Sequence, residues 1–65
     1  MINGEKIRDL RQGMDKSLAE MAFYVGVSES MLRQIELGYK NPSVEGLKRM
    51  AEYLGVTTDA LHVAA

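Results

Sequence analysis

Apolar side chains recur along this chain three and four residues apart, and glycines and one proline interrupt the recurrence at Gly13, Gly26, Gly38, Pro42 and Gly55. That period belongs to helices, because residues three and four apart share one helix face. The spacing predicts a first helix over about 3–12, capped by Asn3. Its stripe is Ile7, Leu10 and Met14, and Gly13 suits a left-handed C-terminal position. A second helix is predicted over about 17–25, with Leu18, Met21, Ala22 and Val25 as apolar positions. Its opening "SLAE" at Ser17–Glu20 is a capping box, in which hydroxyl and carboxylate each satisfy a backbone N–H.

A third helix follows over about 28–37, with Ser28 as cap and Leu32 and Ile35 pointing inward. Only Gly26, Val27 and Ser28 separate the second and third helices, and two helices joined by so short a turn form a helix-turn-helix. Ser43 caps a fourth helix over about 43–54, whose inner positions are Val44, Leu47, Met50, Ala51 and Leu54. Gly46 in its first turn costs about 1 kcal/mol relative to Ala. A short fifth helix over about 58–63 carries Leu61 and ends in His62, a residue type favoured by the dipole there, and the tail "HVAA" is expected to fray. No alternating strand pattern and no repeat is present. The fold class is all-α, one helix-turn-helix domain over 1–65.

Composition narrows the function. Sixty-five residues make one small domain, which buries only about 60% of its unfolded surface. With no cysteine, stability must come from helix packing or from a partner subunit. No apolar run reaches the ~18 residues of a membrane span, and "MINGEKIRDL" lacks a signal-peptide core. A cytoplasmic, nearly whole protein is therefore expected. Eight Lys and Arg against nine Asp and Glu give a formal charge of −1, which is not the basic footprint usual for nucleic-acid binders. An enzyme is not expected. The single histidine, His62, stands in the tail, there is no Gly-rich phosphate loop, and no His, Asp and Glu cluster has metal-ligand spacing. No cofactor or metal is expected.

The order and spacing of "IRDLR" at 7–11, "SLAEMA" at 17–22, "GVSES" at 26–30, "QIELG" at 34–38, "NPSVEGL" at 41–47 and "YLGVTTDAL" at 53–61 resembles the lambda-repressor-like domains, the Cro and phage-repressor group also called the XRE family. The resemblance spans about 7–61 and implies a compact five-helix fold. It implies double-stranded DNA as partner, with the third helix in the major groove. It implies a structural ion pair between Arg11 and Glu36. Glu29, Ser30 and Gln34 match base-reading positions, and Ser17, Arg33, Lys40 and Asn41 match phosphate-contacting ones. Gln34 could pair with adenine, Ser30 can bond either way, and Glu29 can only accept, as from cytosine N4. A domain of this size is expected to bind a palindrome as a homodimer, through the helix four–five region at 53–63.

The chain departs from the family pattern at four positions. Leu18, Met31, Leu37 and Tyr39 are apolar or aromatic where family members carry polar or basic residues, and Glu29 adds negative charge beside them. Apolar and aromatic residues clustered on a functional face mark a protein interface. The alternative expectation is a protein-interaction module on the same fold, with these four residues on its helix two–three face. Of Phe23 and Tyr24, one is expected to pack against helix one or four and the other to be exposed.

Overall fold

The computed structural model describes residues 1–63. The chain forms α1 (Gly4–Gly13), α2 (Leu18–Val25), α3 (Glu29–Glu36) and α4 (Val44–Leu54), then one 3-10 turn at Asp59–Leu61. Each α-helix starts behind a short polar side chain that accepts from a backbone amide three residues on. Asn3 accepts from Lys6, Ser17 from Glu20, Ser28 from Met31 and Ser43 from Gly46. Each cap contributes about 1 kcal/mol by satisfying an amide that the helix itself cannot reach. At the far ends Gly26, Gly38 and Gly55 adopt φ of 85°, 85° and 72°, a left-handed conformation that glycine adopts without Cβ strain.

The core lies where the helices converge. Ile7, Met21, Leu32, Ile35, Met50 and Leu61 are fully buried. α2 packs against both α3 and α4, while α1 packs against α3, α4 and the 3-10 turn. Gly4 opens α1 directly over the end of α3. A Cβ there would be driven into the carbonyl oxygens of Ile35 and Glu36, so the close approach requires glycine. Gly46 has a different reason. A Cβ would stand 3.2 Å from the Ser43 hydroxyl oxygen that caps the same turn.

Several expectations are corrected. The predicted fifth helix is only the 3-10 turn, and His62 beyond it is extended rather than helical. His62 forms an isolated antiparallel bridge with Ile2. The Asn3 amide donates to the Leu61 carbonyl at 2.7 Å and the Val63 amide to the Met1 carbonyl at 2.8 Å. Backbone pairing with the first residues thus replaces fraying as far as Val63, and Ala64 and Ala65 lie outside the described residues. Gly13 is the last residue of α1 and not its left-handed terminator. Asp15 takes that conformation instead, with φ 56°, which a short polar side chain tolerates. Met14, placed by its spacing on the inner stripe, is 40% exposed because α1 has already ended. Among the described residues no helix is long and apolar enough to cross a membrane.

Candidate nucleic-acid interface

The start of α2 and the length of α3 form one face. At the α2 start the capping box is complete. Ser17 Oγ accepts from the Glu20 amide at 3.0 Å, and the Ser17 amide donates to Glu20 Oε1 at 3.1 Å. The bond from the Ser17 amide favours the ionised carboxylate and, with the Ser17 hydroxyl beside it, holds Glu20 below its ordinary pKa. The amides of Leu18 and Ala19 find no backbone acceptor among the described residues. They project from the positive end of the helix, the arrangement that receives phosphate groups.

α3 follows after a tight turn. Ser28 caps it, which leaves Glu29 and Ser30 exposed in its first turn. Gln34 lies one turn further and is half-buried. Its amide nitrogen donates to Ser30 Oγ at 3.4 Å, a long bond that links the two side chains along the exposed side of the helix. Arg33 is exposed, as are Lys40 and Asn41 in the loop after Gly38. Among the described residues Glu29 and Arg33, four apart on α3, make no ion pair, and Arg33 instead lines a groove against α1.

Arg11 is what holds this face in register. Its Nε donates to Glu36 Oε2 at 2.7 Å and its Nη2 to Glu36 Oε1 at 3.0 Å. The pair is bidentate and nearly excluded from water, and hydrogen bonding to the carboxylate raises the Arg11 pKa above its ordinary value. The third donor, Nη1, reaches the Lys16 carbonyl at 2.8 Å. One guanidinium therefore joins α1, the lead-in to α2 and the last turn of α3.

The four apolar departures do not share one exposed patch. Leu18 and Met31 are half-buried and pack against the core, so only two of the four stand fully on the surface. Leu37 and Tyr39 are exposed, at 53% and 76%. Leu18 and Leu37 meet on the wall of the α1–α3 groove, which Tyr39 does not line. Sequence reasoning missed two residues of that groove, Arg8 and Gln12. They sit on the polar side of α1, where periodicity marks them only as solvated. Away from this face, Tyr24 is the aromatic that packs on α4, with its ring 4.9 Å from that of Tyr53. Its hydroxyl donates to Glu52 at 3.1 Å, and that bond raises the Tyr24 pKa. Phe23 is 90% exposed. Among the described residues no three His, Cys, Asp or Glu side chains stand close enough to hold a metal ion.

Comparison with known proteins agrees with this geometry. A helix-turn-helix family profile matches residues 7–61. An uncharacterized HTH-type transcriptional regulator of Mycobacterium tuberculosis is 36% identical over 62 residues. Those residues are 95% of this chain but 44% of that protein, so the chain spans less than half the length of the curated relative it matches. Among solved structures, SinR, the master regulator for biofilm formation, in complex with DNA, is similar with a TM-score of 0.77 and 33% identity, covering 86% of this chain and 90% of that one. The restriction-modification controller protein C.AhdI from Aeromonas hydrophila gives 0.79 and 27%, covering 86% and 85%. The fold and family are those of transcriptional regulators and not of enzymes. With its capped α2, its short turn and its exposed α3, the chain belongs to the helix-turn-helix family of lambda-repressor-like (XRE) transcriptional regulators.

Proposed function

We propose that this chain is a sequence-specific, double-stranded DNA-binding regulator that sets α3 in the major groove. The observation that carries the reading is the disposition of α3. Glu29 and Ser30 stand exposed in its first turn, and Gln34 follows one turn on with its amide linked to Ser30. An HTH recognition helix reads base edges with its N-terminal residues. The open amides at the α2 start, beside Ser17, would take one phosphate, and Arg33, Lys40 and Asn41 would take others. The solved SinR complex with DNA, similar over 86% of this chain, supports DNA as the partner.

Two copies would bind a two-fold site, with half-sites about one helical turn apart. The contact between copies is assigned to 53–63, where Tyr53 and Val56 are half-buried and Val63 is 48% exposed. The test is binding to random and selected duplexes across a salt series, with sedimentation run alongside. Micromolar or tighter binding that weakens steeply with salt is expected, because each neutralised phosphate contributes a slope of about −0.9. Absence of binding at low salt rejects the reading, and a strictly monomeric complex rejects the two-fold part alone.

A further inference from the structure

The groove between α1 and α3 carries chemistry that base reading leaves unused. It encloses about 350 Å³ and opens along one side. Its back is the Arg11–Glu36 pair, whose charges cancel. Leu18 and Leu37 give it an apolar wall, and Arg8, Gln12 and Arg33 complete the lining. Among the described residues neither Arg8 nor Arg33 makes an ion pair. A chain with a formal charge of −1 thus sets two guanidiniums without ion-pair partners around two leucines, although Glu5 and Asp9 line the adjoining groove beyond Arg8.

That combination discriminates between ligand classes. A phosphodiester would satisfy the arginines but offers the leucines no apolar surface. A neutral apolar segment would cover the leucines and leave the arginines partly desolvated without acceptors, which is unfavourable. An aliphatic side chain with a carboxylate to either side satisfies both, since guanidinium and carboxylate form paired charge-assisted hydrogen bonds. We propose that this groove docks an acidic amphipathic segment of a partner protein, with one aliphatic residue on Leu18 and Leu37 and flanking carboxylates on Arg8 and Arg33. The docking itself does not depend on DNA binding. Its consequence does rest on that reading: Arg33 also serves the DNA-facing surface, so a seated partner competes with DNA and releases it.

The experiment is selection of a displayed random-peptide library on the intact chain. The best binder is then mapped by amide resonance shifts, and duplex binding is measured separately. Expected are sequences with Asp or Glu close on both sides of Leu, Ile or Met, with shifts centred on Arg8, Leu18, Arg33 and Leu37. Arg8→Glu should weaken the peptide at least about tenfold. Leu37→Ser should weaken it as well, and both positions are exposed, so the fold is retained. No enrichment, binders without acids, shifts centred on Phe23, or indifference to both substitutions would overturn the proposal. Duplex DNA shifting Arg8, Gln12 and Leu37, with no peptide competing for them, would hand the groove to DNA and overturn it too. Peptide binding without any duplex binding would leave the groove standing and reject the DNA-reading function alone.

Discussion

Arg11 and Lys16 hold each other twice. The Lys16 amide donates to the Arg11 carbonyl at 3.2 Å, and Arg11 Nη1 donates to the Lys16 carbonyl at 2.8 Å. The same side chain closes on Glu36, which is 25 residues away. The lead-in to α2 is therefore wrapped around the end of α1 and fastened to α3 through one guanidinium.

Removing that guanidinium strands a buried carboxylate. Arg11→Met should destabilise the chain by about 3–5 kcal/mol. A 65-residue domain has roughly 3–10 kcal/mol in total, so the variant should lose about a third of its stability or more. Adding Glu36→Leu should recover most of the loss, because no unpaired charge then remains. Urea denaturation of the single and double variants decides. A double variant no better than Arg11→Met would show that the Lys16 contact, and not the ion pair, carries the effect.

Two glycines of α1 should respond to alanine with opposite signs. At Gly4 the added Cβ meets the backbone of Ile35 and Glu36, so α1 must shift, at a cost of about 1–3 kcal/mol. At Gly13 nothing lies within 4 Å and φ is not positive, so Gly13→Ala should stabilise by about 0.5–1 kcal/mol. Thermal melts of both variants check the pair, and equal shifts would contradict the close packing at Gly4.

The capping box should appear in the acid limb of stability. Glu20 is held below its ordinary pKa of 4.5 by the bond from the Ser17 amide, with the Ser17 hydroxyl beside it. A carboxylate depressed in the folded state adds stability above its unfolded pKa and loses it as pH falls through the folded one. Glu20→Gln should therefore melt lower than the parent at neutral pH and converge with it on acidification below about 4.5. Melting curves that stay parallel across that range would remove the charge from the account.

On duplex DNA, Gln34→Ala should lose about 1–3 kcal/mol of discrimination at a single base pair while non-specific affinity holds. Glu29→Gln should act differently. A carboxylate accepts only, so it tolerates the amino groups of cytosine and adenine and repels the carbonyl edges of guanine and thymine. The amide also donates, so preference at that position should relax, and binding to all duplexes should rise with the charge removed. Competition among selected sites measures both. A Glu29→Gln variant with unchanged preference would take that residue out of the reading face.

Phe23→Ser should change stability by no more than about 0.5 kcal/mol, because the ring packs on nothing that folding buries. Tyr24→Ala should cost more, since it removes the ring contact with Tyr53 and the bond to Glu52. Equal effects in denaturant titration would mean that Phe23 is covered in solution by another surface.

Much of this architecture was readable because its determinants are local. Ser17, Ser28 and Ser43 announce their helices through bonds that span three residues, and Leu32 and Ile35 follow from helical period. Arg11 and Glu36 were paired only through the family resemblance, since no period links residues so far apart. The left-handed turn at Asp15 is not legible for a related reason: it precedes a carbonyl, that of Lys16, which the Arg11 side chain folds back to meet, and local propensity does not encode that contact. Family position puts Leu18 and Met31 on or near the reading face but does not say how deep they sit, and the packing of α2 and α3 leaves both half-buried against the core. Arg8 and Gln12 were invisible as a site because a groove exists only once α1 and α3 are side by side.

The bridge between Ile2 and His62 has a consequence for the order in which the domain assembles. Asn3 opens the first helix, and its acceptor on Leu61 lies beyond the fourth. Closing so long a loop carries an entropic cost that local helix contacts do not. The Asn3 amide therefore stays hydrated until the segments after the first helix have assembled. The bond that joins these two segments therefore marks the completion of the fold.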